Sequence, residues 1–207
     1  METPASGPRA ATPPPVRAAD LAVEARRQLL RLARSAVEAA VRGEPPRAPA
    51  VEDLHEHALL PFGAFVTLTE RGDLRGCIGR LDFERPVWEN VADAAIGSAL
   101  DDPRFPRVRP GELDQLELEV SVLDPPVVIG DPGEFDATRH GIMIERGWQR
   151  GLLLPVVARR YGWDEIRTLD AVCEKAGLPR GAWRDPETRL YVFTAAELDE
   201  SELDAGR

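Results

Sequence analysis

The sequence predicts an α+β fold built on antiparallel strands, and three observations carry that expectation. "LELEVSVL" (116–123) alternates apolar and polar residues, which marks a strand with one wet face. "FGAFVTL" and "LRGCIGRL" are short, partly β-branched and separated by the turn "ERGD", the pattern of a β-hairpin. Hairpin, helix and strand then occur twice in that order, which predicts two lobes joined by a cleft and suggests an internal duplication of the unit. No residue-level repeat is evident beside that order.

Taken in order, residues 1–19 are rich in Pro and Ala, with Pro13, Pro14 and Pro15 in a row, and read as a disordered leader. Asp20 reads as an N-cap and Gly43 as a helix stop. Between them Leu29, Ala33, Ala36, Val37, Ala40 and Val41 recur at helical spacing. "RGEPPRAPA" is a loop, and the hairpin follows from Phe62. Pro86 opens a helix to about Leu100, because proline fits the first helical turn. Its alanines, Ala92, Ala94, Ala95 and Ala99, allow close approach to a sheet. In the next strand Leu116, Leu118, Val120 and Val122 share one face; Glu117, Glu119 and Ser121 share the other.

"HGIMIERG" and "GLLLPVV" flank a turn around Gly147 to Gly151. A helix then runs through Arg160, and another from about Asp164 to Ala176, ended by Gly177. "TRLYVFTAAEL" reads as one last strand. The acidic end "ELDESELDAGR" is expected to fray. The expected organisation is a leader at 1–19, one domain of two lobes at 20–200, and an acidic tail at 201–207.

Composition narrows the function classes. Net charge is -10, from 26 basic and 36 acidic residues, which argues against generic nucleic-acid binding. No apolar run is long enough to span a membrane, and the N-terminus lacks a signal pattern, so a cytoplasmic location is expected. Two cysteines, Cys77 and Cys173, are too few for a disulfide scaffold or a four-ligand zinc site. No phosphate-loop, serine-elbow or iron–sulfur cysteine pattern is present.

Several stretches together resemble one family: "GAFVTL", "LRGCIGRL", "DDPRFPRV", "LELEVSVLDPP", "RHGIMIERG", "GLLLPVVA", "CEKAGLP" and "YVFTAAEL". They look like the AMMECR-one domain family, whose prokaryotic branch is AmmeMemoRadiSam system protein A, and "LRGCIG" at Leu74–Gly79 is its signature hexapeptide. The resemblance covers roughly residues 20–200. It departs at Arg107, where the family often has proline, and at Arg139, where lysine is more usual. It implies two unequal lobes with mostly antiparallel sheets and helices packed outside. It also implies association with a Memo-like protein and a radical SAM protein. It names no reaction and no cofactor.

The candidate site is Leu74, Arg75, Gly76, Cys77, Ile78 and Gly79, with Arg104 from "DDPRFPRV". On a regular strand Arg75, Cys77 and Gly79 share a face, which places a positive charge beside a thiol. Two glycines permit close backbone approach, by a ligand or by a packed helix. One reading is a surface offered to a ligand or partner. The other is an enzyme with Cys77 as nucleophile, Arg75 favouring its thiolate and His140 as general base; against it stand a Cys77 packed as a small buried apolar residue and a His140 engaged in capping or turn hydrogen bonds. Binding of nucleic acid is a third and weaker alternative. His55 and His57 share one face of an expected strand but have no third ligand nearby, so no metal is expected. Glu117 and Glu119 read as a solvent-facing pair, and Cys173 as a core residue.

Overall fold

The computed structural model describes residues 16–204. In chain order the main elements are α1 (Val23–Arg42), β1 (Gly63–Glu70), β2 (Asp73–Arg80), α2 (Val87–Leu100), β3 (Leu116–Leu123), β4 (Val127–Ile129), β5 (Gly141–Arg146), β6 (Gln149–Leu153), α3 (Pro155–Tyr161), α4 (Glu165–Lys175), β7 (Arg189–Phe193), β8 (Ala195–Asp199) and α5 (Ser201–Asp204). The fold is α+β, and two four-stranded sheets organise it, in the orders β2-β1-β3-β8 and β4-β7-β5-β6. Two compact units result. One comprises the residues up to Val122 and those from Glu197; the other is Leu123–Ala196.

In the first unit β1 and β2 pair antiparallel across the two-residue turn Arg71–Gly72. Both turn residues have positive φ, 53° and 84°, which matches the twist of a tight hairpin and suits glycine at the second position. The pairing shifts at Leu68/Thr69, a bulge. α2 packs across both strands, and α1 packs on α2. Ala64, Val66 and Leu68 point into this core and are fully buried, as are Leu29, Leu30 and Val37 of α1. The alanines of α2 allow that approach, as expected: Ala94, Ala95 and Ala99 are buried.

The second unit repeats the plan. β5 pairs antiparallel with β6 across Gly147–Trp148 and with β7 on its other side. Its core joins Ile142 and Ile144 to Leu169, Val172, Cys173 and Leu190. In both units the hairpin's first strand is central, its second strand is the edge, and the strand after the helical segment lies on the other side.

Several expectations are corrected. Asp20 is not an N-cap: it closes a 3-10 turn (Ala18–Asp20), and α1 starts after Ala22. Ala18 is fully buried, so ordered structure begins inside the stretch read as leader; residues 1–15 lie outside the described residues. The second hairpin turn is only Gly147–Trp148, because Gln149 and Gly151 already pair with β5. The last strand is two strands broken at Thr194, one for each sheet. The wet face of β3 holds at Glu117 but ends at Ser121, which is 2% exposed. The acidic end is held rather than frayed through Asp204: Glu200 pairs with Arg34 and Glu202 with Arg26, both on α1. Residues 205–207 lie outside the described residues.

Candidate functional site

β2 carries "LRGCIG" as an edge strand, and the parity of a strand sorts its residues. Gly76 and Ile78 face α2. A Cβ built on Gly76 would lie 2.1 Å from the Ser98 carbonyl oxygen, so only hydrogen fits there. Ile78 fills the space in front of Gly97. The Ser98 hydroxyl sits between the strands: it accepts from the Ile78 N–H (2.8 Å) and lies 2.7 Å from the Val66 carbonyl and 2.8 Å from that of Ala94. Two turns earlier Asn90 donates to the carbonyls of Phe62 and Asp82. Asn90 and Ser98 thus fasten the helix to the hairpin. Their signal in the sequence was a pair of polar residues on the buried stripe of an alanine-rich helix.

Arg75, Cys77 and Gly79 face the other way. Gly79 lies under the Phe65 ring of β1, where a Cβ would meet ring carbon at 2.3 Å. Both glycines therefore admit parts of the same chain: Gly76 the backbone of α2, as the helix-packing alternative has it, and Gly79 the Phe65 ring of β1. The Cys77 thiol is half-buried and receives a long hydrogen bond from the Thr67 hydroxyl (3.4 Å).

The loop after α2 closes the edge at Cys77. Asp102, whose side chain is 2% exposed, accepts from the Cys77 N–H (2.8 Å). Arg104 donates to the Cys77 carbonyl (3.1 Å) and grips both Asp102 oxygens (2.9 and 2.7 Å). The pair thus occupies both backbone groups of one edge residue, as a neighbouring strand would. The Arg104 guanidinium, reinforced by the Cys77 N–H, holds the Asp102 carboxyl down at about 2 despite its burial. The loop's buried anchors are Asp102 and Val108; Phe105 is half-buried beneath Arg104.

Arg75 is directed elsewhere. Its Nε and Nη2 meet both Glu112 oxygens (2.8 and 3.3 Å), and Nη1 donates to the Pro106 carbonyl (2.8 Å). Its side chain is only 12% exposed. The guanidinium bonded to Cys77 is therefore Arg104, and the charge of Arg75 is balanced by Glu112. This pairing also holds the Glu112 carboxyl below its ordinary range. Leu74 is exposed.

His140 belongs to the second unit. Its Nδ1 accepts from the Asp136 N–H (3.2 Å), and its own N–H donates to the Asp136 carbonyl (2.8 Å), closing a turn before β5. Burial, with the nearby charge of Arg139, lowers its pKa. His55 and His57 are not on a strand. His55 caps a 3-10 turn by accepting from the His57 N–H, and His57 accepts from the Ala22 N–H at the start of α1. No cluster of three or more metal-ligating side chains occurs among the described residues. Cys173 is fully buried, as expected, and burial raises its pKa. No described helix is long and apolar enough to cross a membrane.

The comparisons with known proteins agree. A family model described as AMMECR1 matches residues 30–198. A protein of Methanothermobacter thermautotrophicus is 44% identical over 176 residues, covering 82% of this chain and 91% of the relative. Protein TK0174 of Thermococcus kodakarensis is 45% identical over 195 residues, covering 86% and 91%. The crystal structure of the uncharacterized protein PH0010 from Pyrococcus horikoshii superposes with a TM-score of 0.79 at 41% identity, covering 84% of this chain and 90% of that one. On this match in sequence and fold, the chain belongs to the AMMECR1 family.

Proposed function

We propose that this protein is a cytoplasmic binding component that works with a Memo-like protein and a radical SAM protein, offering the outer face of β2 to a ligand or partner. One observation carries this reading. The backbone of Cys77 is locked by Asp102 and Arg104, while its thiol stands half-buried on the sheet face away from α2. A strand fixed this firmly presents a shaped surface. The groups able to activate the thiol are engaged with one another: Arg75 with Glu112, Arg104 with Asp102. The bonded neighbour of the thiol is a threonine hydroxyl rather than a base.

Thiol labelling tests this. In the native protein a maleimide modifies Cys77, and Cys173 reacts only on unfolding. A saturating Memo-like protein slows Cys77 labelling. Arg75→Gln and Arg104→Gln leave the rate within about twofold. A fall of about tenfold in either variant marks an activated thiolate and favours the enzyme reading instead.

A further inference from the structure

A cavity of about 370 Å³ adjoins the Arg75 end of β2, lined by Arg75, Pro106, Arg107, Arg109 and Glu112. Its volume lies within the range of small-molecule sites. Three arginines and one glutamate are among the residues that line it, in a chain whose net charge is -10.

That carboxylate is already engaged. Glu112 accepts from Arg75 through both oxygens and from the Arg109 N–H (2.7 Å). Arg107 and the Arg109 guanidinium form no ion pair among the described residues. Their placement follows from the chain. Val108 between them is 4% exposed and donates its N–H to the Ala99 carbonyl (2.9 Å). Arg109 is extended, with φ -105° and ψ 154°. Val108 is turned inward, while Arg107 and Arg109 on either side of it are both exposed. The wall behind them is fixed, because Arg75 donates to the Pro106 carbonyl.

We propose that this cavity binds a small dianion, namely a phosphomonoester. Two exposed guanidiniums outside any close ion pair match its charge, although that of Arg109 also acts on Glu112, and their planar forks match its oxygens. The basic patch is confined to one short loop, which fits a small molecule better than a nucleic-acid backbone. The proposal gives a ligand class to the Arg75 end of the site described above and rests on that reading.

Calorimetric titration with glycerol 3-phosphate at fixed ionic strength tests it, with sodium chloride, succinate and a single-stranded RNA oligomer as separate arms. Saturable binding of the phosphomonoester is expected. It weakens at least about tenfold in the Arg107→Gln/Arg109→Gln double variant, which removes two exposed side chains and leaves the melting temperature unchanged. Binding no stronger than the chloride control, or unchanged in the double variant, overturns the proposal. Succinate or RNA binding more tightly than glycerol 3-phosphate overturns the assignment to a phosphomonoester. If phosphate fails but a Memo-like protein still slows Cys77 labelling, the anion site falls and the binding reading stands. If labelling protection also fails, both fall.

Discussion

The two hairpins carry the same string at their turns and use it differently. Glu70–Gly76 reads "ERGDLRG" and Glu145–Gly151 reads "ERGWQRG", so five of seven positions agree. Both strings end in a glycine on an edge strand set against helix backbone. A Cβ on Gly76 would lie 2.1 Å from the Ser98 carbonyl of α2, and one on Gly151 2.8 Å from the Val172 carbonyl of α4. The turn registers differ by one residue, Arg71–Gly72 in the first and Gly147–Trp148 in the second. The arginine before the glycine also diverges. Arg75 is largely covered and tied to Glu112 and Pro106, whereas Arg150 is 49% exposed and pairs with Glu145 of its own hairpin. The position after the glycine is Cys77 in one unit and Leu152 in the other. The shared part of the string is thus the part that seats a strand on a helix. The part that differs surrounds the candidate site.

The largest effect should come at the glycines. Gly76→Ala should cost about 3 kcal/mol or more, because a backbone carbonyl cannot turn aside; Gly151→Ala should cost about 1–2 kcal/mol. Gly79→Ala meets the tip of the Phe65 ring, which can swing away, and should cost about 1 kcal/mol. Urea melts of the three variants give the order. Equal losses at 76 and 151 break the idea that the first hairpin is seated more tightly.

The Asp102 clamp comes next. Asp102→Asn should destabilise by about 2 kcal/mol at neutral pH, through weakened bonds to the Cys77 N–H and Arg104. Folding depresses this carboxyl, so its contribution is complete above about pH 4 and fades as pH falls through about 2. Melting curves of wild type and variant should therefore stay separated above pH 4 and converge below 2. A gap that persists at pH 2 means the charge of Asp102 is not what holds the loop.

The smallest effect separates the two arginines. Arg75→Ala should cost about 1–3 kcal/mol, since Glu112 loses a two-point partner in a partly covered place. Arg150→Ala should cost less than about 1 kcal/mol, as exposed ion pairs do. Similar losses remove the distinction drawn between the two strings.

Much of this was legible in the residues. The first hairpin, α2, α4 and the core role of Cys173 followed from periodicity and turn chemistry, which are local. The signature strand was recognisable too, but its surroundings were not. Nothing local in "DDPRFPRV" says that Asp102 and Arg104 return to an edge strand 25 residues earlier. Glu112 carried no signal, since its partner Arg75 lies 37 positions away. Thr194 hid the division of the last strand, because "YVFTAAEL" is strand-like throughout. The repeated string is short, and its five identities in seven gain meaning only when both copies are seen at equivalent turns.

The crossing of strands between the sheets bears on how the chain matures. β3 runs on through residues 124–126 into β4 of the other sheet, and β7 runs on through Thr194 into β8 of the first. A ribosome releasing this chain delivers β1, β2 and β3 long before β8, so the sheet of the first unit waits for Ala195–Asp199 to cover the free side of β3. α1 likewise waits for Glu200 and Glu202 to meet Arg34 and Arg26. Contacts that distant in sequence slow folding. They also make the N-terminal half hostage to residues 195–202: a nascent chain stalled at 190 has every atom of "LRGCIG" and an unfinished sheet beneath it.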